Sequence, residues 1–303
     1  MTSPIALFTF NRPEHTRRTL EALAGNECAA ESDLFIFSDN ARCNEDESDV
    51  RAVRVLINRI KGFRNVELIE RDTNWGLANN IIDGVSTVCD KYGTAIVLED
   101  DILTSPRFLT FMNKALDRYA DEPAVWHVSG WNYPIDPTGL ADAFFWRVMN
   151  CWGWATWADR WRHFEKDPAR LVDEWCKDQI RRFNLDGTHS FWHQVLENHE
   201  GRINTWAIFW YATIFEHGGL CLNPTRSYVE NIGHDGSGEH CKLSSFYQTE
   251  KMNLKQVTLP TDISECSFAV ERIQKVLRRN ILSMLSNPGY FLEKVWSVIN
   301  GKK

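Results

Sequence analysis

The chain has 303 residues, 43% of them hydrophobic and 25% charged, with a formal net charge of -7. This composition excludes a largely disordered chain, and the acidic balance argues against a nucleic-acid binder, which needs a basic surface to neutralise phosphates. No apolar run approaches the ~20 residues of a membrane span, and residues 1–5 lead into a strand without a secretory leader, so a cytoplasmic location is expected.

In chain order, the first hundred residues alternate strand and helix. Residues 5–10 form an apolar strand, and Asn11-Arg12-Pro13-Glu14 opens a helix to about residue 24 with Leu20 and Leu23 facing inward. A second strand covers 34–38 and stops at Asp39. Val50, Val53, Leu56, Ile57 and Ile60 then keep helical spacing, 66–69 is a short strand, and a helix runs from Asn74 to about residue 89. Repeated units of this kind specify an α/β fold with a mostly parallel sheet flanked by helices, whose ligands bind outside the carboxyl ends of the strands. Asn11, Arg12, Asp39, Asn74 and the acids at 99–101 all fall at such ends.

The run Ala95-Ile96-Val97-Leu98-Glu99-Asp100-Asp101 is the most informative segment. A buried strand that stops at three successive carboxylates gathers mutual repulsion that a divalent cation offsets. A hard cation bridging two phosphates needs only one or two protein carboxylates. The plainer alternative is that Asp100 and Asp101 cap a helix starting near Ser105-Pro106. Neither a G-x-G-x-x-G dinucleotide fingerprint nor a P-loop is present, so phosphates would be held by the acids and a metal. The eight cysteines are scattered without a C-x-x-C pair, as expected of free thiols in a reducing compartment.

Phe10-Asn11-Arg12-Pro13, Asn74-Trp75-Gly76-Leu77-Ala78 and Val97-Leu98-Glu99-Asp100-Asp101 resemble GT-A nucleotide-sugar glycosyltransferases of the family-2 kind. The Glu-Asp-Asp form and the segment 150–157, with Trp152-Gly153-Trp154, are similar to N-acetylglucosaminyltransferase I. Residues 206–211 and the glycine-rich loop 231–238 resemble a bacterial sugar-transferase subgroup. The resemblance implies a GT-A-like, Rossmann-like domain over 1–245, with a nucleotide-binding half at 1–125 and an acceptor half at 126–245, followed by a carboxyl-terminal helical extension at 246–303.

It also implies roles. Phe10, Asn11, Arg12 and Asp39 would hold base and ribose, with Arg71 and Asn74 near the nucleotide. Asp101 would bind Mn²⁺ or Mg²⁺ directly, Asp100 would face the ribose or the metal's waters, and Glu99 would orient the loop. His234 or His240 would complete the metal site. The donor is a nucleotide sugar, with a UDP-sugar expected, and the acceptor a saccharide or lipid-linked saccharide in bacterial surface-polysaccharide assembly. The class is a hexosyl- or N-acetylhexosaminyltransferase acting with inversion.

One departure stands out. The similar enzymes place an Asp just before the tryptophan matching Trp206, where this chain has Asn204. An amide takes no proton at neutral pH, so Asn204 would at most orient the acceptor, and the base falls to Asp235 or Glu239, with Asp159 behind them. Two other readings remain: a nucleotidyltransferase, and a non-catalytic carbohydrate-binding protein that kept the fold.

Thirteen tryptophans concentrate in the middle of the chain. Large aromatics usually build core, but Trp152 and Trp154 would lie on one side of an extended segment and stack on a sugar. Finally, residues 269–285 carry apolar Val270, Ile273, Val276, Leu277, Ile281 and Leu285 interleaved with Arg272, Lys275, Arg278 and Arg279. This basic amphipathic helix reads either as a packing or homodimer arm, or as a peripheral contact with the inner face of an anionic membrane.

Overall fold

The structure, a computed structural model, describes residues 2–234 and 257–285, with side chains up to residue 279. The opening elements follow the expected alternation: β1 (Ile5–Thr9), α1 (Pro13–Ala24), β2 (Asp33–Ser38), α2 (Glu47–Ile57), β3 (Asn65–Glu70), α3 (Gly76–Tyr92) and β4 (Thr94–Glu99). Pro13 at the first helical position fixes the start of α1, and Gly93 in the left-handed region ends α3. After them come β5 (Ile102–Thr104), α4 (Phe108–Arg118), β6 (Val125–Ser129), β7 (Ala143–Trp146) and β8 (Trp154–Trp157). The short helices α5 (Ala158–Trp161), α6 (Pro168–Glu174), α7 (Lys177–Phe183) and α8 (Trp192–His199) lead to α9 (Ala207–Glu216), β9 (Leu220–Pro224), β10 (Val229–Asn231) and α10 (Ser267–Leu285).

Eight strands form one sheet in the order β3-β2-β1-β4-β8-β6-β9-β7. β1 pairs in parallel with β2 and β4, β2 with β3 and β6 with β9, while β8 and β7 run against their neighbours. Six strands therefore point one way, and the mostly parallel, helix-flanked α/β fold expected from the sequence is the fold observed. The chain order reverses between β1 and β4. This is the topological switch point, where the loops after neighbouring strands part and leave a crevice.

The strands of this central region are buried on both faces. Ile5, Ala6, Leu7, Ile96, Val97 and Leu98 have no exposed surface, which is why they read as continuous apolar runs. The core is also rich in aromatics, with Trp146, Trp154 and Trp210 among its largest enclosed side chains. α10 joins this core through Ala269, Val270, Ile273 and Leu277 and leaves Lys275, Arg278 and Arg279 exposed. Among the described residues no helix is long and apolar enough to cross a membrane.

The second, two-stranded sheet was not visible in the sequence. β5 pairs antiparallel with β10, setting Ile102 opposite Asn231 and Thr104 opposite Val229. Asp100 and Asp101 therefore do not cap a helix. They form the turn between β4 and β5, and α4 begins only at Phe108.

Candidate active site

The switch-point crevice receives the residues after β1 and β4. Arg12, just after β1, places Nη2 between the acids after β4: it donates to Asp100 Oδ1 and, over 2.9 Å, to Asp101 Oδ2. The backbone N–H of Phe10 approaches Asp100 Oδ2 at 3.4 Å. Asp100 and Asp101 are only 4% and 5% exposed, so this is a buried charge cluster. Burial raises the pKa of Asp100 to about 6 despite the opposing pull of Arg12. Glu99 keeps some solvent contact, yet the dense surroundings and the neighbouring acids push its pKa up to about 8. Burial disfavours the Arg12 guanidinium too, but the two carboxylates outweigh that and raise its pKa.

The loop after β10 closes over Asp101. Ile232 donates its backbone N–H to the Asp101 carbonyl at 2.9 Å, and the Gly233 N–H bonds Asn231 Oδ1 at 2.7 Å. A Cβ on Gly233 would collide with Asp101 Oδ2 and stand 3.1 Å from Arg12 Nη1, so any side chain here forces the carboxylate or the loop to shift. His234 follows at once, its ring 5.3 Å from that of Trp152 in an edge contact. β8 is antiparallel to β4, with Trp154 opposite Val97, so Trp152 precedes it at the same edge as the acids. Trp131, just past the carboxyl end of β6, packs against Trp152 at 4.6 Å.

Trp152 and Trp154 are not side by side. Gly153 takes φ +58, which breaks the extended backbone the sequence reading assumed. Trp154 points into the core, 1% exposed, and stacks on Trp206 at 5.1 Å and on His127 at 5.3 Å. Trp152 stays half-buried at the edge. The sugar-stacking expectation is therefore corrected for Trp154, which has no surface to offer a ligand.

The remaining predicted residues fall around β2 and β3. Asp39, just after β2, accepts backbone N–H groups from Asn40, Trp75 and Gly76 at 2.8–2.9 Å and the Asn74 amide at 3.3 Å. It anchors the start of α3, as an acid at a helix amino terminus does. Asn11 donates to Asp46 at 2.6 Å, and Asp46 also takes Arg42, whose guanidinium lies 4.9 Å from the Phe10 ring. Arg71 stacks on Trp75 at 3.9 Å while bonding Asn80 and Asp83. Asn204 accepts from Lys166, whose pKa burial lowers. Asp235, Glu239 and His240 lie outside the described residues.

Sequence reasoning missed Thr19, whose hydroxyl donates to the Asp100 carbonyl at 2.8 Å, and although it singled out the glycine-rich loop 231–238, it did not foresee that Gly233 lies against the Asp101 carboxylate. It also missed that Arg12 bridges the acids.

Among the described residues no three His, Cys, Asp or Glu side chains converge on a metal position. The donor set nonetheless fits a hard cation that draws its other oxygens from a ligand: Asp101 Oδ1 is buried and has no hydrogen-bond partner.

No family model and no curated protein matches this chain. Among solved structures, a crystal structure of residues 1–349 of TarS from S. aureus aligns with a TM-score of 0.43 at 10% identity, covering 78% of this chain and 62% of that one. A longer structure of S. aureus TarS aligns with a TM-score of 0.31 at 14% identity, covering 43% of this chain and 21% of that one. This chain thus spans less than two thirds of either. The fold assignment rests on strand order and direction, and the likeness to N-acetylglucosaminyltransferase I finds no support in these comparisons.

Proposed function

We propose that the chain is a metal-dependent glycosyltransferase that moves a sugar, with inversion, from a nucleotide donor to a saccharide or lipid-linked saccharide of a bacterial surface polysaccharide. One observation carries this reading: two buried aspartates meet an arginine at the switch point of a mostly parallel sheet, and one aspartate oxygen has no partner. Asp101, with Asp100 beside it, would hold Mn²⁺ or Mg²⁺, and His234, two residues after the Ile232 that bonds the Asp101 carbonyl, would be the imidazole ligand. When bound, the ion would stabilise the charge developing on the departing diphosphate.

The protein's own groups supply the rest. Arg12 offers a guanidinium to phosphate oxygens, a planar donor suited to bidentate contact. Phe10 and the Arg42–Asp46–Asn11 cluster form a wall beside it for the base and ribose. Asp39 holds the Trp75 turn in place rather than offering free oxygens, so its role is positioning. Trp152, edged by Trp131, offers a half-buried indole to a sugar face. Deprotonation of the acceptor falls to Asp235 or Glu239, since Asn204 is an amide. The exposed basic face of α10 suits contact with an anionic membrane carrying the acceptor.

A second reading, a sugar-binding protein without turnover, is favoured by Asn204 alone, an amide bonded by Lys166 at the sequence position where the similar enzymes carry an acid. The test is a thermal-shift screen against nucleoside diphosphates and nucleotide sugars with Mn²⁺, Mg²⁺ or chelator, run beside an assay for released nucleoside diphosphate. Ligands that bind the native state raise its apparent stability. A metal-dependent shift for one base with release supports the transferase. A shift without release over many acceptors supports the binding protein, and no shift overturns both.

A further inference from the structure

Arg12 is the one described cation that bridges Asp100 and Asp101, and it does so with a single nitrogen. Asp100 has its other oxygen near the Phe10 N–H, while Asp101 Oδ1 has no partner. A divalent ion arriving at this pair would meet carboxylates already half neutralised. It would also meet a positive charge 2.9 Å from Asp101 Oδ2. Like charges this close repel strongly where water is largely excluded. The oxygens of one carboxylate do not offset that for an ion that prefers six or more oxygen ligands.

The Arg12 side chain has somewhere to go. It is 19% exposed, against 5% and 7% for the side chains of its two partners, so it lies at the mouth of the cluster and the acids lie beneath it. Its backbone is fixed separately: the Arg12 carbonyl accepts the Thr16 N–H and hydroxyl, both at 2.9 Å, so only the side chain needs to move. A diphosphate entering the crevice would present the guanidinium with better-matched oxygens than the two single contacts it makes now.

We infer that Arg12 is a resident cation of the Asp100–Asp101 pair that leaves for a diphosphate before a divalent ion enters, so that metal and diphosphate binding are coupled through Arg12's change of partner. The inference rests on the metal–nucleotide reading of the site and specifies its order of assembly. The coupling is reciprocal: whatever draws Arg12 off the acids tightens the metal, and metal on the acids frees Arg12 for phosphate.

The test measures Mn²⁺ binding to the full chain without nucleotide, by loss of the free-ion electron paramagnetic resonance signal, for wild type, Arg12→Gln, Arg12→Lys and Arg12→Gln with Asp101→Asn. Expected is an affinity gain of about tenfold or more for Arg12→Gln, a smaller gain for Arg12→Lys, and loss of the gain when Asp101 is also replaced. In a second arm, calorimetry with inorganic pyrophosphate and no metal should show wild type binding more tightly than Arg12→Gln. Mn²⁺ affinity in a natively folded Arg12→Gln equal to or below wild type overturns the inference. Should Arg12→Gln fail to fold, Arg12→Met decides, because it keeps an unbranched side chain of similar reach without the charge that opposes the metal, and no gain there overturns the inference equally. Neither arm needs a sugar donor or turnover. Failure to turn over any nucleotide sugar would therefore sink the transferase and leave the Mn²⁺ comparison intact, whereas a flat Mn²⁺ comparison in an active enzyme would sink only the exchange by Arg12.

Discussion

The hydroxyl of Thr19 in α1 donates to the main-chain oxygen of Asp100 across 2.8 Å, with Thr19 fully enclosed. This bond ties the helix after β1 to the turn after β4, so the two sides of the crevice are held in register by a group that touches no ligand. Thr19→Val keeps the shape and leaves a buried carbonyl without its donor, at a cost of about 1–3 kcal/mol. Thr19→Ser keeps the hydroxyl and should recover most of that loss. Denaturant unfolding of both variants checks the expectation, and equal stability of the two would show that the bond does not hold the turn.

The imidazole of His127, with no exposed surface, is locked between two partners. The Trp210 indole N–H donates to Nδ1 at 3.2 Å, and Nε2 lies 3.0 Å from the Asn150 carbonyl. Nδ1 must therefore accept and Nε2 must carry the proton, so the ring is neutral. Burial lowers its pKa from 6.5 to about 3. The unfolded chain binds this proton more readily, so the contribution is whole above pH 6.5 and is lost as pH falls toward about 3. Between pH 6.5 and 5, wild-type stability should fall more steeply than that of His127→Gln, by up to about 1.4 kcal/mol per pH unit. Parallel slopes in urea titrations would remove the histidine from the acid response.

β1, β2 and β4 were legible because apolar runs bounded by polar residues are what a sheet covered on both faces requires, the edge strand β3 showed only as a short half-apolar stretch, and the carboxyl ends of β1 and β4 located the crevice. What stayed hidden depended on pairings far along the chain. Arg12 meets acids 88 and 89 residues away. The ribbon of β5 and β10 joins Ile102 to Asn231, and this pairing turns an apparent helix cap into a strand-connecting turn. Asp39 could be placed at a strand end from its position, but no local pattern reveals that its oxygens face the backbone of Trp75 and Gly76. Among the tryptophans, periodicity could not distinguish Trp152 from Trp154, because a single positive φ at Gly153 sends them to different places.

Gly233 is where the covering loop touches the acids. In Gly233→Ala the new methyl would strike Asp101 Oδ2 and lie 3.0 Å from Asp101 Cγ. The carboxylate is held by Arg12 beneath the loop, so the strain falls on the loop and should cost about 1–3 kcal/mol. The expected result is a lowered melting temperature together with a smaller metal-dependent thermal shift from nucleoside diphosphates. An unchanged shift would place the loop away from the ligand.

Trp152 and Trp154 give the sharpest separation of ligand contact from packing. Trp154 is enclosed among His127, Trp161 and Trp206, so Trp154→Ala should destabilise the fold by about 3–5 kcal/mol. Trp152 is half-buried against Trp131 and His234, and its loss should cost less stability. If its indole stacks on the donor sugar, Trp152→Ala should weaken a nucleotide sugar roughly three- to tenfold, in keeping with the worth of an aromatic contact. The matching nucleoside diphosphate, which lacks the sugar, should bind as it does to wild type. Calorimetry with the pair of ligands separates the cases: a loss confined to the sugar-bearing one assigns Trp152 to the sugar, and equal losses for both assign it to support of the His234 loop.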